Sequence, residues 1–108
     1  MNFRNSKNST HDDNEKTSVR LLVIGKVQGV YFRLNMQEIA KKNSVFGWVR
    51  NLSDGRVEAL LEGNKDGVDK VIEWSKKGPD NARVDDLKID SLHYEGKFVD
   101  FVIQHDES

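Results

Sequence analysis

The chain has 108 residues, 36% of them hydrophobic, and a mean hydropathy of -0.69, which fits one small domain with a single core. It has no cysteine, no run near the roughly 18 apolar residues of a membrane helix and no signal-peptide pattern, so we expect a cytoplasmic protein without disulfides or thiolate sites. The net charge of -1 combines six basic residues and one acid in segment 18–50 with seven acids and two lysines in segment 85–108.

The N-terminal segment, residues 1–17, has too few apolar side chains to offset the entropy of ordering. We predict a disordered tail there, followed by a domain that covers residues 18–105. The domain opens with VRLLVIGKV at residues 19–27, a short, apolar and β-branched run that is typical of a strand covered on both faces. Apolar residues at helical spacing then predict a helix that ends near residues 43–44: Phe32, Met36, Ile39 and Ala40.

The middle of the chain predicts a hairpin and a second helix. Residues 45–52 and 56–62 have strand patterns, and the turn residues 53–55 between them predict antiparallel neighbours. The second helix should cover residues 66–77 and stop at the Gly-Pro pair 78–79.

The C-terminal part predicts two more strands. In residues 82–90 Val84 is out of phase with the later apolar positions, which indicates a β-bulge near Asp85 and Asp86. The last strand, residues 98–104, should turn three apolar side chains inward: Val99, Phe101 and Ile103. The order βαββαβ plus a final strand predicts an α+β, ferredoxin-like split βαβ fold, an antiparallel sheet with two helices packed on one face.

The segment 25–33 joins a buried strand to a helix and is the candidate site. Gly25 and Gly29 permit backbone angles that let consecutive amide N–H groups point into one concavity. The helix N-terminus adds partial positive charge, and Arg33 adds a planar, two-pronged donor for phosphate oxygens. On residue types alone, however, a tight turn beside a surface arginine explains the segment equally well, and the Walker and dinucleotide glycine patterns are absent.

Longer motifs resemble a known family. GKVQGVYFR at residues 25–33 is followed by GWVRN at 47–51, DGRVE at 54–58 and GP with ARV at 78–84. Together they resemble the acylphosphatase family over about residues 19–104. The resemblance implies an enzyme that hydrolyses small acyl phosphates to a carboxylate and inorganic phosphate. For such an enzyme we expect no cofactor or metal and neither a nucleic acid nor a membrane partner, and we expect a monomer, although the sequence leaves the oligomeric state open.

The resemblance also implies roles for single residues. Arg33 binds the phosphate through its guanidinium, and Asn51 positions the attacking water. Backbone amides of the loop hold the phosphate: Gln28, Gly29, Val30, Tyr31, Phe32 and Arg33. On spacing alone, Asn51 would sooner be a turn-initiating residue before the hairpin turn. Asn43-Ser44 and His105 depart from the family pattern, but neither touches the catalytic pair.

The chemistry is consistent with these roles. A carboxylate leaving group is a weak base and needs no general acid, and a neutral Asn orients water without removing its proton, which we expect to pass to the substrate's phosphate. Two other functions remain open, a non-catalytic phosphate-binding or anion-binding module and an RNA-binding domain. The third strand lacks the aromatic signature of RNA-binding sheets. The histidines His11, His93 and His105 are too scattered for a metal site.

Overall fold

The computed structural model describes residues 15–107, in which five strands form one sheet against two helices. The sheet has the order β4-β1-β3-β2-β5. The elements in chain order are β1 (Lys16–Lys26), α1 (Phe32–Lys42), β2 (Phe46–Asn51), β3 (Val57–Asn64), α2 (Lys65–Ser75), β4 (Arg83–Leu92) and β5 (Phe101–Ile103). This arrangement confirms the ferredoxin-like βαββαβ plan with a final strand.

The sheet is mixed rather than antiparallel throughout, because β5 pairs with β2 in parallel. The cause is where β4 ends. Leu92 pairs with Ser18, which pairs with Glu62, which pairs with Phe46 at the start of β2. The chain therefore leaves β4 at the end of the sheet where β2 begins, crosses to the far edge, and runs alongside β2 in the same direction.

The core lies between the sheet and the helices. Alternate residues of β1, β2 and β3 point into it, as strand periodicity requires. The buried core residues of these strands are Val19, Leu21, Val23, Val49, Val57, Ala59 and Leu61. The helices contribute Phe32, Met36, Ala40, Val68 and Val71. Phe32 packs on Trp74 with ring centroids 5.0 Å apart, which joins the start of α1 to α2.

Two predicted boundaries differ from the structure. β1 begins at Lys16, so Lys16 and Thr17 belong to the sheet and not to the tail, and the rest of the predicted tail, residues 1–14, lies outside the described residues. β5 begins only at Phe101, which is buried, whereas Val99 is 91% exposed and Ile103 37% exposed. The prediction that Val99 points into the core was wrong. Val99 precedes β5, so the alternation of inward and outward side chains along a strand does not apply to it.

The predicted bulge is confirmed, and it changes the interpretation of Gly25. Ile24 pairs with Asp86 and Gly25 with Val84, so Asp85 is the extra residue. Gly25 has φ 142°, and a Cβ added there would lie 2.1 Å from the carbonyl oxygen of Arg83. Gly25 thus serves the close approach of β1 to the bulged β4 rather than the predicted anion-binding loop.

On the sheet face away from the core, Glu58 joins the three central strands. Its carboxylate accepts hydrogen bonds from Arg20 Nε at 2.7 Å and Arg50 Nε at 2.8 Å. Burial raises the pKa of Glu58, but the hydrogen bonds and charges of the two arginines outweigh burial, so the pKa is lowered from its ordinary value. The ionised form therefore stabilises the pairing of β1, β3 and β2.

We predict that Glu58→Gln lowers the free energy of unfolding at pH 7 by about 1 to 2 kcal/mol. A lowered folded-state pKa gives stability that is present above the unfolded value of about 4.3 and is lost as the pH falls through the folded value. The difference between wild type and variant should therefore shrink below about pH 4. Urea unfolding at pH 7 and pH 3 measures it, with the exposed Glu73→Gln as control. If the free energies of unfolding of wild type and Glu58→Gln differed by the same amount at both pH values, the prediction would be contradicted.

Candidate active site

The loop between β1 and α1 leaves several backbone N–H groups available to an anion. Gly29 has φ 76° and Tyr31 φ 66°, so two left-handed residues alternate with Val30 just before the helix. Within the described chain, no side chain caps the N-terminus of α1, and its first turn holds no acidic residue. Uncapped N–H groups and the positive end of the helix dipole are the features that favour binding of an anion.

A cavity of about 420 Å³ lies beside this loop. It brings together Arg33 and Asn51, the two side chains for which the sequence predicted catalytic roles. Of the predicted phosphate-binding residues, Gly29, Tyr31, Phe32 and Arg33 line it. The side chain of Val30 is buried in the core and that of Gln28 turns towards the hairpin, while the role predicted for their backbone N–H groups stays a prediction. Three apolar residues also line the cavity and were missed by sequence reasoning: Val27, Leu34 and Ile103.

Asn51 reaches the cavity through the register of the sheet. Val57 of β3 pairs with Val23 of β1 on one side and with Asn51 of β2 on the other. Both β1 and β2 run antiparallel to β3, so the C-termini of these two strands lie at the same end of the sheet. Asn51 and Val49 lie on the same, core-facing side of β2. The side chain of Asn51 therefore points towards the helices, at the start of α1.

The Asn51 side chain is buried without a partner for its oxygen. The residue is only 7% exposed, and among the described residues nothing donates a hydrogen bond to Oδ1. The competing turn role is not observed, because the turn closes through Leu52 N–H to the Arg56 oxygen at 2.8 Å and through Asp54 Oδ1, which accepts from Arg56 N–H at 3.1 Å. Asn51 is thus not used by the turn, and it lines the cavity while its side-chain oxygen stays buried and unpaired within the described residues.

Two C-terminal acids lie at the edge of this site, and sequence reasoning missed both. Asp106 accepts a hydrogen bond from Arg33 Nη1 at 2.7 Å. Glu107 accepts from the N–H and Oγ of Ser53 at 2.8 and 2.9 Å, and these hydrogen bonds lower its pKa from the ordinary value. The only sequence signal was the acidic excess of segment 85–108 opposite the basic excess of segment 18–50.

The chemistry available in the cavity is that of anion binding. In the described part of the chain, the lining side chains include no carboxylate, imidazole, thiol or amine. Across residues 15–107 no three His, Asp or Glu side chains come close enough together to hold a metal ion. No helix among these residues is long and apolar enough to cross a membrane. The arrangement can bind an oxyanion and orient a water molecule.

The sequence model of the family described as Acylphosphatase matches residues 19–103. The chain belongs to the acylphosphatase family. An acylphosphatase of Pyrobaculum islandicum is 56% identical to it over 90 residues, which are 82% of this chain and 95% of that relative. An acylphosphatase of Syntrophus aciditrophicus is 46% identical over 89 residues, 82% of this chain and 93% of that relative.

Solved structures support the same assignment. The structure of an acylphosphatase from Coxiella burnetii superposes with a TM-score of 0.80 at 34% identity, over 88% of this chain and 99% of that one. Full-length HypF in its phosphate- and nucleotide-bound form superposes with a TM-score of 0.77 at 26% identity, over 86% of this chain and 12% of that one. The acylphosphatase fold therefore occurs both as nearly a whole chain and as a small part of a larger one.

We predict that Asp106→Asn strengthens phosphate binding about two- to five-fold at low ionic strength, because it removes a negative charge beside the anion while its amide oxygen still accepts from Arg33. Calorimetric titration with inorganic phosphate measures the change. Asp100→Asn is the matched control, since Asp100 pairs with Lys41 at 3.8 Å, at the C-terminal end of α1. Equal effects of the two variants, or an effect that persists at 1 M salt, would contradict the prediction.

Proposed function

We propose that this chain hydrolyses the carboxyl-phosphate anhydride bond of small acyl phosphates, with Arg33 and Asn51 as the catalytic side chains. Membership of the acylphosphatase family and the names of its relatives support the reaction. One observation carries the assignment of residues: Asn51, whose buried Oδ1 has no hydrogen-bond partner in the described chain, lines one cavity together with Arg33 and the loop before α1. Buried polar atoms are nearly always hydrogen-bonded, so an exception in a cavity indicates a site for a ligand or water.

Phosphate binding is assigned to the loop and Arg33. In the proposal, the backbone N–H groups of residues 28–33 and the Arg33 guanidinium donate to one phosphate at the N-terminus of α1. In phosphoryl transfer, negative charge spreads over the equatorial oxygens, and donors that are already oriented stabilise this charge better than water does. When phosphate binds, Arg33 must exchange or share its hydrogen bond to Asp106. Breaking this ion pair costs little free energy, because both side chains are partly exposed.

Asn51 is assigned to the attacking water. Its Oδ1 accepts a hydrogen bond from the water, whose oxygen then attacks phosphorus while the bond to the acyl oxygen breaks. The acyl oxygen leaves as a carboxylate, a weak base that needs no proton. The Asn51 amide cannot remove a proton, so the proton of the water passes to an oxygen of the substrate's own phosphate and leaves with inorganic phosphate. No step requires a metal or a cofactor.

The non-catalytic anion-binding module remains the alternative, since the HypF likeness covers only a small part of a larger protein. A monomer that works in the cytoplasm, without nucleic acid or membrane partners, stays part of the proposal.

We predict that Asn51→Ala lowers kcat for acetyl and benzoyl phosphate by about a hundred- to a thousand-fold, and that Arg33→Ala lowers kcat and also weakens phosphate inhibition. Asn51→Ala should not reduce thermal stability, because it removes a buried oxygen that has no hydrogen bond. Steady-state kinetics and thermal unfolding measure the two effects.

The matched control is Asn64→Ala, because Asn64 pairs with Lys16 at the opposite end of the sheet. It should leave kcat unchanged. A wild type that binds inorganic phosphate without hydrolysing either acyl phosphate would establish the anion-binding module instead. Unchanged rates in both site variants would refute the residue assignment while leaving the reaction intact.

We predict a rate profile between pH 5 and 8 without an inflection near 6.5, because no histidine lines the cavity that holds Asn51. His105 lines an adjoining cavity together with Arg33 and is the residue to examine. Rates of wild type and His105→Gln across this range make the comparison. An inflection near 6.5 that disappears in His105→Gln would show an imidazole acting in the reaction.

A further inference from the structure

The side chain of Gln28 forms two hydrogen bonds that the phosphate-binding role does not explain. Its Nε2 donates to the carbonyl oxygen of Leu52 at 2.8 Å and to that of Arg56 at 2.9 Å. The amide nitrogen of glutamine has two hydrogens, so both are used. Leu52 directly follows Asn51, and Arg56 closes the same hairpin turn. Gln28 therefore links the loop before α1 to the peptide beside Asn51.

The topology makes this link necessary. β1 and β2 are not neighbours, because β3 lies between them. The loop follows β1 and Asn51 ends β2, so no strand ladder holds the two parts of the site together directly. Adjacent strands lie about 4.8 Å apart, which leaves roughly 10 Å between the ends of β1 and β2. A long amide side chain spans part of this gap and ends on two fixed carbonyl groups.

We propose that Gln28 is a positioning residue that sets the distance between the phosphate-holding loop and Asn51. This inference rests on the proposed function, since it concerns the placement of water relative to bound phosphate. Its consequence is kinetic. Without the two hydrogen bonds, the loop amides and Arg33 still bind phosphate, but Asn51 no longer holds the water at a constant distance from phosphorus. The loss therefore falls on kcat and leaves KM nearly unchanged.

Gln28→Glu tests the proposal because it keeps the size of the side chain and replaces the two donors with an acceptor. The carboxylate then faces two carbonyl oxygens, which repel it and raise its pKa above the ordinary value of about 4.3. We expect kcat at pH 8 to fall about ten- to a hundred-fold relative to wild type. As the pH falls, the protonated carboxyl group regains one donor, so the ratio of variant to wild-type kcat should rise.

Gln28→Met supplies the second variant, similar in length and without a donor at any pH. Its kcat should be reduced by the same factor at every pH, which separates the effect of the lost donor from that of the new charge. Gln37→Glu is the matched control, because Gln37 Nε2 donates to the carbonyl oxygen of Phe101 at 3.0 Å, between α1 and β5. It should leave kcat and its pH dependence as in wild type.

The outcomes separate the possible roles of Gln28. A fall in kcat with constant KM and recovery of Gln28→Glu at low pH would support positioning. A raised KM with constant kcat would overturn it in favour of direct phosphate binding. A lower melting temperature with unchanged kinetics of the folded variants would overturn it in favour of a purely structural role. An inactive wild type would instead remove the proposed function, and the inference with it.

Discussion

The antiparallel pairing of β3 with both β1 and β2 is the constraint on which the site depends. Val57 lies opposite Val23 on one side and Asn51 on the other, so the register of one central strand sets the position of Asn51 relative to the end of β1. A slip by one residue would turn Asn51 to the open face of the sheet, away from the cavity. The next residue of β3, Glu58, holds the same three strands together on that open face through Arg20 and Arg50. One short segment of β3 therefore fixes the register from both faces.

Several locally unfavourable features meet at the end of the sheet where β1 and β2 have their C-termini. Asn51 Oδ1 is buried without a partner, Tyr31 has a left-handed backbone although it is not glycine, and α1 begins without a side-chain cap in the described structure. Each of these features costs stability, the first and second about 1 to 3 kcal/mol each. Two of these features also occur away from the cavity in the described chain, since Ser44 has φ 55° and α2 likewise begins without a side-chain cap hydrogen bond. Among the described residues, only those at the C-terminal ends of β1 and β2 combine all three features around one cavity, where an anion would occupy the free N–H groups of α1 and a water the unpaired oxygen of Asn51.

The sequence predicted the elements well and the contacts between them less well. Strand and helix periods are local, so β1, the hairpin and the bulge at Asp85 followed from spacing alone. The parallel pairing of β5 and the exposure of Val99 depend on where the chain crosses the sheet, which no local pattern contains. Gly25 was assigned to the loop because a glycine shows only that an unusual backbone is allowed. The hydrogen bonds of Gln28 and Asp106 join residues 24 or more positions apart, and only the folded chain brings them into contact.

Net charge was a weaker guide to the site than the direction of individual donors. The basic excess of segment 18–50 suggested an anion, yet much of this charge is paired elsewhere. Arg20 and Arg50 both bind Glu58 on the open face of the sheet, and neither lines the cavity. Arg33 is the one guanidinium that lines the cavity within the described chain, and Asp106 partly neutralises it. In the proposed site, selectivity for phosphate then has to come from the backbone N–H groups of the loop and of the first turn of α1. Such donors need no reorientation during the reaction, and on this ground we propose that a small site with one arginine and one asparagine is sufficient for phosphoryl transfer to water.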